Sequence, residues 1–175
     1  MTHTIVVIGS GSVGKSSLTL QLVQGQFFEV YDPTVVESFR AELLVNGRRV
    51  PLEIIDTAGQ DDFSSLRDGF ISQGDGFLLV YSIDCPASFE EAKLLYQQVL
   101  DAKGTETVPI VIVANKCDLQ QNRKVSKEDG EAFAKRCQAP FFESSAKNFT
   151  NVKEAFVEAV KQIQSSQSKG CCSLM

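Results

Sequence analysis

The chain has 175 residues, 43% of them hydrophobic, which suits one domain with a full core. Its 22 acidic and 17 basic residues give a net charge of −5, and no basic cluster is present to neutralise backbone phosphates, which argues against nucleic-acid binding. Five cysteines, three of them scattered at 85, 117 and 137, suit reduced thiols in a cytosolic protein. No Cys/His spacing suits a metal, and the lone histidine, His3, is expected to be solvated near the terminus. The start lacks the apolar stretch of a signal peptide, and the longest apolar runs are of strand length, so no membrane-spanning helix is expected.

The first predicted element is a buried strand, Thr4-Ile-Val-Val-Ile8. Gly9-Ser-Gly-Ser-Val-Gly14-Lys15-Ser16 follows, and then a predicted helix from Ser17 to Val23 with Leu18, Leu22 and Val23 at helical spacing. Strand, glycine loop and helix form the setting of the phosphate-loop pattern G-x-x-x-x-G-K-[ST]. Backbone N–H groups over Gly11, Ser12, Val13, Gly14, Lys15, Ser16 and Ser17 are expected to curl round phosphate oxygens at the positive end of the helix. Lys15 adds a point charge toward the β- and γ-phosphates, and the Ser16 hydroxyl is a candidate Mg²⁺ ligand. Taken alone, the fragment also fits a ligand-free turn, and it does not separate ATP from GTP.

Phe39, Ala41, Leu43 and Val45 alternate with polar or exposed positions, and Asn46-Gly47 turns them into a second run over 49–56. This pair is expected to be antiparallel and at the sheet edge, where Pro51 is tolerable. Asp56 ends that run, and the polar stretch from Asp61 to Gly69 reads as mobile. Buried strands are predicted over 77–81 and 110–114, and helices over 89–100, 127–137 and 152–163. The last helix places Val152, Ala155, Phe156, Ala159, Val160 and Ile163 on one stripe. From Ser165 the composition is that of a flexible polar linker. The alternation of strands and helices predicts an α/β fold, a parallel sheet covered on both faces.

Asn115-Lys116-Cys117-Asp118 lies at the carboxyl end of a predicted strand, the edge at which open α/β sheets bind ligands. A carboxylate there accepts from both the N1–H and the 2-amino N–H of guanine. Adenine offers neither donor and would leave it desolvated and unpaired.

With these residues in view, the chain resembles a Ras-family small GTPase of Ras/Rap type with some Rheb-like features. The resemblance rests on the phosphate loop, Tyr31-Asp-Pro-Thr34, Asp56-Thr-Ala-Gly-Gln60, Asn115-Lys-Cys-Asp-Leu119, Glu143-Ser-Ser-Ala-Lys147 and terminal Cys172-Ser-Leu-Met175. It implies a P-loop NTPase fold: a mostly parallel six-stranded sheet with one antiparallel edge strand. The GTPase domain would span residues 1–164 and a flexible lipidation tail 165–175. It further implies a GDP/GTP switch in which Ser16 and Thr34 bind Mg²⁺ directly and Asp56 does so through water. Gly59 would meet the γ-phosphate, and Gln60 would orient the attacking water. Phe27 would stack on the guanine edge, and Ala146 would offer its N–H to the base. Lys116 and Lys147 would cover the two faces of the base. Tyr31, Pro33 and Ser145 complete the implied nucleotide contacts.

By the same resemblance, Thr34 and Gly59 report the γ-phosphate, and its loss releases residues near 28–38 and 58–70. Val30-Tyr-Asp-Pro-Thr34 has no arginine, so an activating protein would supply one. The expected partners are an exchange factor, an activating protein and effectors at residues 31–39, the chain itself being monomeric. Two departures stand out: Ser12 replaces the glycine of Ras and Rap, and Val36 replaces an acid in the effector segment. The terminus fits a C-a-a-X box with prenyl on Cys172 and a candidate palmitate on Cys171. That implies lipid anchoring on the cytoplasmic face of the plasma membrane or an endomembrane. The competing class is a metabolic P-loop enzyme such as a nucleotide kinase, but no arginine-rich lid segment is present.

Overall fold

Six strands and five helices alternate along the chain in this computed structural model, which describes residues 1–25, 36–57 and 64–172. In chain order they are β1 (His3–Gly9), α1 (Lys15–Gln24), β2 (Val36–Val45), β3 (Arg48–Thr57), α2 (Ser64–Gln73) and β4 (Gly76–Ser82). Then come α3 (Pro86–Lys103), β5 (Ile110–Asn115), α4 (Lys127–Arg136), β6 (Phe141–Glu143) and α5 (Val152–Cys172). The strands lie in one sheet in the order β2-β3-β1-β4-β5-β6, parallel throughout except for β2, which runs antiparallel to β3 at the edge. This is the α/β P-loop architecture that the sequence implied.

The central strands are apolar on both faces because both faces are covered. Ile5, Val7, Leu78, Val80, Val111 and Val113 point to one side and pack with Leu18 of α1 and with Val152, Ala155, Phe156, Ala159, Val160 and Ile163 of α5. Their neighbours Val6, Ile8, Phe77, Leu79, Ile112 and Ala114 point to the other and meet Ile71 of α2, Phe89, Ala92, Leu95 and Val99 of α3 and Phe133 of α4. The stripe predicted on α5 is buried along its whole length. Asn46 and Gly47, both at positive φ, make the β2–β3 turn.

Several details differ from the expectation. The edge strand is β2 alone, and β3 is interior. Pro51 is accommodated because β1 begins to pair with β3 only at Leu52, so its missing N–H removes no bond from that ladder. His3 is buried, at 6% exposure, because it opens β1 opposite Leu52. A helix from Ser64 onward occupies part of the polar stretch, where no helix was expected. Residues 165–172, read as a flexible linker, continue α5 to Cys172. No proline interrupts them, and residues 165–169 are exposed.

Candidate nucleotide site

The parallel strands all end on one side of the sheet, and four of them, β1, β3, β5 and β6, each deliver one fragment of the site there. β1 runs into the glycine loop. β3 brings Asp56, in register with Val7. β5 ends on Asn115, and Ser144 to Lys147 follow β6 directly.

Ser10 to Gly14 curl between β1 and α1, with Ser12 at φ 64° and Gly14 at φ 96°. A Cβ on Gly14 would collide with Nδ2 of Asn115, so this close approach of loop and β5 needs glycine. Lys15 opens α1 and is buried inside the curl, its Nζ donating to the Ser10 carbonyl at 2.7 Å. The helix start and this ammonium make the loop an anion-binding concavity. Ser16 Oγ donates to Oδ2 of the fully buried Asp56. A hydroxyl and a carboxylate brought together beside the loop are hard oxygen donors, the set that Mg²⁺ prefers. Thr57 donates to the Val7 carbonyl at 2.7 Å, which ties the end of β3 to β1.

On the other side of the loop, Asn115 is a buried connector. Its Nδ2 donates to the Val13 carbonyl at 2.8 Å, and its Oδ1 accepts from Ser144 Oγ at 3.0 Å. Lys116, at φ 63°, donates to the Ser12 carbonyl at 2.6 Å and lays its stem along the loop. Asp118 Oδ1 accepts from Ser145 Oγ at 2.7 Å, and Ser145 also receives the Asn148 N–H at 3.1 Å. Ser145 and Thr150 exchange backbone bonds at 3.0 and 2.9 Å, closing the loop after β6. Gln21 of α1 reaches that loop, donating to the Ala146 carbonyl at 2.8 Å. Lys147 stands exposed at its rim. Burial pushes the Cys117 thiol up; the carboxylates of Glu143 and Asp118 push the same way, and Arg123 opposes them.

The structure thus brings together Gly11 to Ser17, Asp56, Asn115, Lys116, Asp118 and Ser145 to Lys147. Phe27, Tyr31, Pro33, Thr34, Gly59 and Gln60 lie outside the described residues. Two members of the site were not among the residues expected from the sequence. Ser144 belonged to a segment already singled out, whereas Gln21 carries no local signal; only the packing of α1 against the β6 loop selects it.

A parallel sheet whose carboxyl edge presents a glycine loop, a buried lysine and a second loop tied to the first by an asparagine defines a P-loop nucleotide-binding protein. The model of the Ras family matches residues 4–165, and the chain belongs to that family. It is therefore a GTP-binding switch with GTPase activity, one of a group that binds guanine nucleotide with Mg²⁺ and works with exchange factors, activating proteins and effectors.

Proposed function

We propose that this chain is a lipid-anchored GDP/GTP switch whose base is read by Asp118 and whose phosphates are held between Gly11 and Ser17. The observation that carries the reading is the double role of Asn115. One side chain bonds the phosphate loop at Val13 and the base loop at Ser144, so the two halves of a nucleotide site are set at a fixed separation. Asp118 has one oxygen on Ser145 and the lone pairs of a carboxylate left to meet the guanine N1–H and 2-amino group. Lys116 and Lys147 cover the faces of the base, Ala146 offers its N–H to the base, and Phe27 stacks on its edge. Tyr31 and Pro33 adjoin the nucleotide.

Lys15 and the loop amides stabilise charge that builds on the β- and γ-phosphates as water attacks. Ser16, Thr34 and, through water, Asp56 would hold Mg²⁺, which when bound neutralises those same oxygens. Gln60 orients the water, and Gly59 meets the γ-phosphate through its N–H. The water oxygen joins the γ-phosphorus, the bond to the bridging oxygen breaks, and the protons pass to phosphate and solvent. Residues 30–34 supply no arginine, so an activating protein would provide one, worth about 10³–10⁵ in rate. Loss of γ-phosphate releases Thr34 and Gly59, and effectors read residues 31–39, where the β2 edge invites strand addition. Residues 1–164 form the switch. Residues 165–175 carry prenyl on Cys172 and a palmitoyl chain on Cys171, placing it on the cytoplasmic face of a membrane.

Measured affinities for GTP, ATP and XTP test the base reading. Asp118→Asn should weaken GTP by several kcal/mol and turn preference toward XTP, whose 2-oxo group needs a donor. Wild-type protein that binds ATP as tightly as GTP would overturn it.

A further inference from the structure

Arg123 lies outside every nucleotide motif and Glu143 only opens the segment Glu143–Lys147, yet the two side chains face each other beside the base loop. Nη1 of Arg123 is 2.7 Å from Oε1 of Glu143, and each side chain is only 19% exposed. Oε1 receives no aligned hydrogen bond, so the attraction is that of two charges in a partly dry place. Arg123 also donates through Nε to Gln120 Oε1 at 3.0 Å, and Gln120 Nε2 donates to the Cys117 carbonyl at 2.8 Å. A third bond, Nη1 to the Val125 carbonyl at 3.1 Å, fixes the guanidinium from the side of α4.

The contacts close a ring. From Arg123 the path runs through Gln120 to Cys117 and Asp118, crosses to Ser145 at 2.7 Å, and returns along the chain to Glu143. Cys117 N–H donates to the Ser144 carbonyl at 2.9 Å inside that ring, and Asn151 Nδ2 holds the Glu143 carbonyl at 2.8 Å. The turn after β5 has its own short bonds, such as Asn122 N–H to the Leu119 carbonyl at 2.9 Å. What the ion pair adds is the separation between that turn and β6. The shifted Cys117 thiol, which responds to both Glu143 and Arg123, is consistent with their charges reaching the base loop.

We propose that Arg123 and Glu143 are a positioning pair that sets guanine selectivity by fixing the angle of the Asp118 carboxylate. The proposal rests on the reading of Asp118 as the acceptor for guanine. A carboxylate that must meet two donors at once tolerates little rotation. Loosening it costs guanine one of its two bonds, whereas hypoxanthine, which has N1–H and no 2-amino group, needs a single bond that a rotated carboxylate still makes. An ordinary exposed ion pair would be worth little and would act on every nucleotide alike.

Competition of GTP and ITP against a fluorescent GDP analogue, on the full chain with Mg²⁺, separates these cases. Arg123→Gln and Glu143→Gln should each weaken GTP about tenfold while ITP changes by about twofold or less. The exchange of charges in Arg123→Glu with Glu143→Arg should return the GTP-to-ITP ratio to within about threefold of wild type. Should Arg123→Gln fail to fold, Arg123→Lys, which keeps the charge and loses the fork, should give an intermediate ratio. Asp118→Ala is the control. If it leaves the ratio unchanged, the guanine reading itself falls. If it collapses the ratio while the Arg123 and Glu143 variants keep it, or if they weaken GTP and ITP equally, the positioning role is overturned.

Discussion

Asn115 shows how much one side chain decides here. Its amide has a donor end and an acceptor end, and the fold uses one on the phosphate loop and the other on Ser144. Aspartate would lose the donor and leave the Val13 carbonyl unmet, at a cost of about 1–3 kcal/mol for a buried polar group. Cys137 illustrates a different kind of constraint. It caps α4 in a buried position, and burial raises its thiol from an ordinary 9.0 to about 11. The folded state therefore keeps this proton longer than the unfolded chain does. The contribution is complete below pH 9, and it is lost as pH rises through 11. Denaturant midpoints should fall across that window, and Cys137→Ala should make the alkaline slope shallower. Some slope will persist, because burial moves Tyr81, Tyr96 and Cys117 in the same direction. An unchanged slope in the variant would mean that Cys137 titrates as it does in water.

Among the elements, α4 packs closely on the sheet at Gly130. Ser126 caps it by accepting the Asp129 N–H at 3.1 Å, acids occupy the first turn and Lys135 and Arg136 the last, as the helix dipole favours. Gly130 sits mid-helix, where alanine would ordinarily add about 1 kcal/mol. Here a Cβ would strike the Tyr81 hydroxyl of β4 and lie 2.7 and 2.8 Å from the Phe141 ring of β6. Overpacking typically costs about 1–3 kcal/mol, and the backbone on both sides is held by the sheet. Gly130→Ala should therefore destabilise, with a net loss of about 1–2 kcal/mol in urea unfolding. A gain in stability would show that α4 can slide outward freely. β6 has only three residues, yet it sets where Glu143, Ser144 and Ser145 emerge, so a shift of α4 should reach the base loop.

Taken as a whole, the molecule is a sheet with its chemistry on one edge and α5 running to Cys172. Among the described residues no helix is long and apolar enough to cross a membrane. Residence at a membrane would then rest on lipid. One prenyl chain binds marginally, and Lys169 adds about 1 kcal/mol at an anionic surface. Cys172→Ser should place the full-length protein wholly in the soluble fraction. Cys171→Ser should leave a weak association that exchanges quickly among membranes. Cell fractionation of both variants tests this, and undiminished residence of Cys171→Ser would point to a protein partner instead of a second lipid.

The sequence by itself determined five of the six strands, four of the five helices, the antiparallel β2–β3 hairpin, the phosphate loop and the family. These are written in local patterns: runs of β-branched residues, 3.6-residue stripes, and glycines at fixed offsets from Lys15 and Ser16. Tertiary structure decided what spacing along a chain does not encode. It buried His3 by pairing β1 with β3 and started that ladder one residue past Pro51. It also recruited Gln21, Ser144, Arg123 and Glu143 around the base loop. Their contacts join segments up to 125 positions apart, and such contacts exist only once the sheet has brought the strand ends together.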